Sequence, residues 1–278
     1  LRQDYDSVFV HMNPEYVILG GLLWRLIGKK IVFWYAHYLA NPKLRIAQLL
    51  SDKIVTSTRL AYPLETRKLV VLQQGIDTGW FKPANPKSQI QNPKNFRILS
   101  LGRIAPVKNL EVVVRAFDLV RKKHNRVSLT IMGGPTPGKR DEGEYHEKIK
   151  NLVRDLKLEA NVSFSRSVPH RETPRVYNEH DLFVNVTRTG SFDKTTLEAM
   201  ACGLPVLVSN ETFQEIFSPA VRTSLVFEEG NAASLSSKIL GIISLPEVKI
   251  KEFSLIMRGL IVQKHSLNQL MDKLAHVL

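Results

Sequence analysis

The chain has 278 residues, 44% hydrophobic and 23% charged, the proportions of an ordinary folded globular protein rather than a fibrous or disordered one. Its length exceeds what one hydrophobic core usually holds, which predicts two domains or a domain and a half. Thirty-nine basic against 26 acidic residues give a net charge of +13, which suits polyanions or anionic surfaces, and the single cysteine, Cys202, excludes an internal disulfide and a zinc site of several thiolates. A lone cysteine also predicts a reducing, cytoplasmic setting. Asp6 to Val10 reads as a short buried strand. Pro14 opens a helix in which Tyr16, Leu19, Leu22, Leu23 and Leu26 recur at helical spacing, and Gly28 closes it. The most apolar run, Tyr16 to Trp24, is followed by Arg25, Lys29 and Lys30 and falls short of the roughly 20 residues of a membrane span. Strands at Ile31 to Tyr35, Lys53 to Thr56 and Leu69 to Leu72, with a helix near Leu44 to Leu50, continue an alternation that predicts crossover units of a parallel sheet.

The stretch from Gln74 to Asn95 carries Gly75, Gly79, Pro83, Pro86 and Pro93 without a sustained apolar period and reads as an interdomain linker. A second alternating series follows. Arg97 to Leu101 is a strand, and Leu110, Val113, Val114, Phe117 and Val120 mark one face of a helix. Val127, Leu129 and Ile131 alternate as a strand stopped at Gly133-Gly134-Pro135. A helix through Leu156, the strand Val162 to Phe164, a short helix, the strand Asp181 to Val186, the helix Thr195 to Cys202 and the strand Pro205 to Val208 complete the series. A helix near Ala232 to Ile243 and two turn-rich stretches, around Phe253 to Leu260 and Leu267 to Leu274, end the chain.

Open α/β sheets bind ligands beyond the carboxyl ends of their strands, which singles out two loops. In Leu101 to Asn109, Gly102 permits a tight turn, the following helix start offers free N–H groups, and Arg103 and Lys108 add two cations. Together these suit a diphosphate, with Arg103 forking two oxygens and Lys108 acting as a point charge; alternatively both are solvated surface cations. The second loop, Thr189 to Pro205, leads through Gly190 and Asp193 into a small-sided apolar helix. Asp193 and Thr195 are candidate caps, and the amides of Thr195 and Thr196 are candidates to face an anion. Glu198 can accept two ribose hydroxyls or simply complement the helix dipole.

The segments LGRIAPVKN, NVSFSRSVP, DLFVNVT and GSFDKTTLEAMACGLPVLVSN, preceded by QQGIDTGWFKP, resemble the family-4 retaining glycosyltransferases of the GT-B fold. The resemblance runs through most of Lys53 to Leu278. It implies an α/β protein of two Rossmann-like domains with the N-terminal one truncated: a remnant of the acceptor-side domain over 1–82, a linker over 83–95, a donor nucleotide-sugar-binding domain over 96–260, and a C-terminal helix over 261–278 packing back on the N-terminal part. It further implies a metal-independent hexosyltransferase, without a cofactor, moving a hexose from a nucleoside-diphosphate sugar to a glycan or lipid-linked acceptor. Arg103 and Lys108 correspond to the family's basic pair on the donor diphosphate and Glu198 to its carboxylate on the ribose. Asp193, Lys194, Thr195 and Thr196 match the loop that meets sugar and phosphate, and Gly75, Ile76 and Asp77 the hinge segment near the phosphates. His37 matches a first-domain histidine that reaches the transferred sugar. Gly102, Gly133, Arg166 and Val168 complete the implied donor contacts. Two positions depart from the family: Gly190 stands where its first glutamate is usual, and Arg166 stands where many members carry glycine beside the base.

With no aspartate pair for a metal evident, fixed cations and helix N-termini are expected to stabilise the departing diphosphate. No well-placed carboxylate nucleophile is legible, which favours same-face attack assisted by the leaving phosphate. The charge and the segment Trp24 to Trp34 suit peripheral contact with an anionic membrane, against the simpler expectation that Trp24, Phe33 and Trp34 pack in a core. A dehydrogenase or P-loop reading lacks its glycine fingerprint. A nucleic-acid-binding protein fits the charge, but the basic residues are dispersed and not interleaved with aromatics. Gly190 and the incomplete first domain leave a catalytically silent nucleotide-sugar-binding fragment as the alternative.

Overall fold

A computed structural model describes residues 5–84, 95–187 and 192–278. In chain order the elements are β1 (Ser7–His11), α1 (Pro14–Leu26), β2 (Lys30–Trp34), α2 (Pro42–Leu50), β3 (Lys53–Thr56), β4 (Leu69–Val71), β5 (Phe96–Leu101), α3 (Leu110–Lys123), β6 (Val127–Met132) and α4 (Arg140–Asp155). They continue with β7 (Val162–Ser165), α5 (Thr173–Asn178), β8 (Leu182–Asn185), α6 (Lys194–Ala201), β9 (Val206–Val208), α7 (Pro219–Leu225), α8 (Ala232–Ile243), α9 (Glu247–Lys264) and α10 (Leu267–Val277). Two compact units result. One joins the chain up to Asp77 with Lys264–Leu278, and the other takes most of Thr78 to Gln263. The N-terminal segment of the first unit ends at Asp77, a few residues before position 82, and of the predicted linker 83–95 residues 85–94 lie outside the described residues.

The first unit is a parallel sheet of order β1-β2-β3-β4. Ile31, Val32, Phe33 and Trp34 of β2 are all buried, as expected of a strand covered on both faces. One face packs Ile31, Phe33 and Ile54 against Val17, Leu44 and Ala47 of α1 and α2. The other packs Val32, Trp34, Val55 and Leu72 against Leu270, Leu274 and Val277 of α10. The stretch around Phe253 to Leu260, read as turn-rich, lies within the helix α9, and the C-terminal helix implied over 261–278 begins at Leu267 as α10. Leu267, Leu270 and Leu274 recur at i, i+3 and i+7, so α10 has a single apolar face for the sheet.

The helix read from the spacing of Tyr16 to Leu26 forms as α1 and turns that apolar stripe outward. Its buried residues are Pro14, Val17 and Gly21, while the leucine stripe points outward, with Leu19 82% and Leu26 86% exposed. A Cβ on Gly21 would come 3.1 Å from the Leu50 side chain, so a residue without one lets α1 approach α2 closely.

The second unit is a parallel sheet of order β7-β6-β5-β8-β9. β6 alternates as read, with Val127, Leu129 and Ile131 buried. The predicted face of α3, Leu110 to Val120, is buried. α6 ends on Gly203 at φ +74, whose N–H donates to the Met200 carbonyl at 2.9 Å while the Leu204 N–H donates to that of Ala199 at 3.0 Å. This pair of bonds satisfies the last carbonyls of the helix and requires a left-handed residue between them. β5 lies between β6 and β8, where the strand order reverses. Among the described residues no helix is long and apolar enough to cross a membrane.

Candidate functional site

At the reversal point of the second sheet, the loops after β5 and β8 open a narrow cleft lined by Gly102, Arg103, Lys108, Met132, Asn185 and Thr187. Its floor is backbone. Gly102 and Gly133 both sit at positive φ, +151 and +141, and a Cβ on Gly133 would stand 1.9 Å from the Gly102 carbonyl oxygen. The Ile104 N–H donates to the Gly134 carbonyl at 3.0 Å, and Ile104 and Ala105 are buried. Their burial anchors a short turn, Pro106–Lys108, that presents Lys108 to the cleft. Asn109 follows at φ +44, a left-handed position that asparagine tolerates better than most residues.

Both cations expected to meet a diphosphate already hold carboxylates. Lys108 Nζ pairs with Asp193 Oδ2 and lies 3.2 Å from Thr187 Oγ1; the two side chains are 22% and 8% exposed. Asp193 caps α6, its Oδ1 accepting from the Thr195 N–H at 3.2 Å and the Thr195 hydroxyl at 2.6 Å. Burial alone would raise its carboxyl, but the Lys108 charge, with hydrogen bonds from Lys108, Thr195 and Asn185, overrides it and holds it down at about 2. The Thr196 N–H donates to the Asp193 carbonyl at 3.1 Å. In this structure Asp193 itself supplies the acceptors for the amides of Thr195 and Thr196, as a helix cap does. Arg103 Nη1 stands 3.3 Å from Glu142 Oε1, a carboxylate only 4% exposed. Glu142 also accepts from the Thr136 N–H at 2.7 Å, and that bond, with the Arg103 charge, holds its carboxyl below the usual range.

Glu198 lies on α6, with its side chain 3% exposed. Its Oε1 is 2.8 Å from His170 Nε2, and its Oε2 accepts from the Tyr177 hydroxyl at 3.0 Å. Lys194 is exposed at the same helix start. Arg166, exposed, and Val168, half-buried, follow β7 beside the Gly133 N–H, which donates to the Ser165 carbonyl at 2.9 Å. In the first unit, Ile76 spends its peptide groups on α10: its N–H donates to the His265 carbonyl at 2.7 Å, and its carbonyl accepts from Leu267 at 2.8 Å. Gly75 packs closely there: a Cβ would come 2.7 Å from the tip of the Leu270 side chain and 3.2 Å from the Leu267 backbone. His37 follows β2, half-buried, its Nδ1 accepting from the Leu39 N–H at 3.1 Å and its ring stacked on Tyr38. Gly190 lies outside the described residues.

In the second unit Gly102, Arg103 and Lys108 line one cleft, Gly133 abuts Gly102, Lys108 pairs with Asp193, and Glu198 lies further along the helix that Asp193 caps. Thr187, Glu142, His170 and Tyr177 join them without any signal in the sequence, because each meets its partner through the fold rather than through local spacing.

Two Rossmann-like parallel sheets, the second with a basic cleft at its reversal point, define an α/β protein of GT-B type. The chain belongs to the glycosyl transferases group 1 family, whose profile matches residues 81–253, more than half of its length. It is 25% identical over 234 residues, 79% of this chain, to the alpha-monoglucosyldiacylglycerol synthase of Streptococcus pneumoniae. It is 28% identical over 233 residues, 74% of this chain, to the GDP-mannose-dependent alpha-(1-6)-phosphatidylinositol monomannoside mannosyltransferase of Mycolicibacterium smegmatis. The chain spans only about half of each relative, 48% and 59% respectively. Among solved structures, HepE of Anabaena in complex with UDP shares the fold, with a TM-score of 0.84 at 17% identity over 99% of this chain and 78% of that one.

Proposed function

We propose that this chain carries the donor side of a retaining glycosyltransferase that moves a hexose from a nucleoside-diphosphate sugar to a glycan or lipid-linked acceptor. One observation carries the reading: Arg103 and Lys108 line the same cleft, and Asp193 ties Lys108 to the helix bearing Glu198. Breaking the bond between an anomeric carbon and a diphosphate leaves negative charge on the departing phosphate. Fixed cations in a partly water-excluded cleft stabilise that charge without reorganising. Arg103, about half exposed, is free to turn from Glu142 to a phosphate, whereas Lys108 is held in place. Glu198 is the acceptor for the ribose. His37 is assigned to the transferred sugar on family resemblance. Asp193 is spent on Lys108 and on the cap, which leaves it poorly suited to attack carbon and supports same-face displacement with retention.

Calorimetric titration with UDP, GDP and ADP, and with their hexose conjugates, tests the reading. Binding of at least one diphosphate is expected, weakened about tenfold by Arg103→Ala. Binding without release or transfer of the sugar would mark a silent donor-binding module. Absence of binding to every member of the panel would sink the proposal.

The acceptor side of the proposal extends to a peripheral contact with an anionic bilayer. It is supported by the outward stripe of Leu19, Leu22, Leu23 and Leu26 on α1, with Arg25 beside its end and Lys29 and Lys30 after it. Co-sedimentation with phosphatidylglycerol vesicles is expected to fall with salt and to be lost in a Leu19→Asp/Leu26→Asp variant. Equal, salt-insensitive recovery with neutral vesicles, or none with either, removes the membrane from the proposal.

A further inference from the structure

Glu198 is the most enclosed acid of the candidate site, and its neighbours come from elements that sequence reading left without a role. Tyr177, on α5, is fully buried, its ring edge-on to Phe183 at 5.9 Å. Burial, then the charge of Glu198 beside it, pushes its hydroxyl well above the usual range, so Tyr177 remains a donor to Oε2. His170 differs. It sits on a short turn, His170–Glu172, whose His170 carbonyl accepts from the Thr173 hydroxyl at 2.8 Å, and its side chain is 62% exposed. Its ring packs 5.2 Å from that of the buried Phe81. A carboxylate offers about four acceptor positions. Tyr177 and His170 occupy one on each oxygen, which leaves one on each for an incoming ligand. Tyr177 holds Glu198 from inside the unit and His170 from its solvent side.

We propose that His170 is a positioning residue for Glu198: its Nε2–H bond to Oε1 keeps both carboxylate oxygens turned toward the vicinal hydroxyls of the donor ribose. The inference rests on the donor-binding reading above. It makes the preference of the site for ribo- over dideoxyribonucleotides depend on an imidazole that need not touch the nucleotide. With His170 gone, Oε1 loses its outer tether, the carboxylate samples other rotamers, and the affinity contributed by the hydroxyls is lost. Affinity contributed by the diphosphate stays.

The test is titration of the full chain with UDP and GDP and with their 2′,3′-dideoxy counterparts. Wild type is expected to prefer the ribose form of whichever diphosphate it binds. His170→Ala is expected to shrink that preference by about tenfold, through weaker binding of the ribose form alone. His170→Gln, whose amide N–H can take the place of Nε2–H, is expected to restore most of it. A merely structural role would weaken both forms equally. A preference unchanged in His170→Ala, or equal losses for both forms, overturns the inference. Failure of wild type to bind any diphosphate would instead overturn the donor-binding reading beneath it, and the two results are distinct.

Discussion

Lys108→Ala is expected to lower turnover of the nucleotide sugar, read as release of the diphosphate, by on the order of 10²–10³. It is also expected to destabilise the protein by about 3 kcal/mol in urea melts. The two effects have one cause. Asp193 is almost wholly enclosed and depends on Lys108 for its counter-charge, so removing the cation leaves a buried carboxylate unpaired at the start of α6. Adding Asp193→Asn removes that charge, and the double variant is expected to regain much of the stability while remaining as slow as Lys108→Ala. Wild-type turnover in Lys108→Ala would refute the role given to this cation. The acid dependence has a defined sign. The Asp193 carboxyl falls from an ordinary 3.8 to about 2, so its contribution is complete above the ordinary value and is lost progressively as the pH falls from 3.8 through about 2. Any loss of stability between pH 7 and 5 must come from other groups.

Gly133→Ala is expected to be the most damaging small substitution in the second unit. Two independent costs coincide: a positive φ that an alanine rarely adopts, about 1–2 kcal/mol, and a methyl group driven onto the Gly102 carbonyl. The obstacle is the backbone just beyond β5, which cannot turn aside as a side chain would. Relief requires β5 and β6 to separate at the cleft, and the total loss is expected to exceed about 4 kcal/mol, the range reserved for a few severe mechanisms. Gly138→Ala provides the comparison, since Gly138 has a φ of +81 with nothing within 4 Å of the added carbon. It is expected to cost only the conformational part. Equal melting temperatures for the two variants would refute the steric argument.

Much of this was legible in the order of residues. Strand–helix alternation located both sheets, and the loop following a strand with Gly102, Arg103 and Lys108 located the cleft. Asp193 was readable as a helix cap because a cap acts within three residues of itself. Its pairing with Lys108, 85 residues away, was not. The same holds for Glu142 with Arg103 and for His170 and Tyr177 with Glu198, contacts that only the assembled sheet creates. α1 shows a different limit. A helical period identifies a face but not the direction in which it points. Val17 and Gly21 lie opposite the leucine stripe, and the close approach to Leu50 puts the small side chains in the core.

The packing of α10 on the first sheet bears on how the polypeptide matures. The face of Val32, Trp34, Val55 and Leu72 is closed by residues made only after the whole intervening unit. That intervening unit is nearly continuous in the chain and can fold as it emerges, while the earlier sheet waits with an oily side bare. During synthesis this sheet therefore stays unfinished until the second unit has been made, and chaperone engagement should concentrate on its bare face.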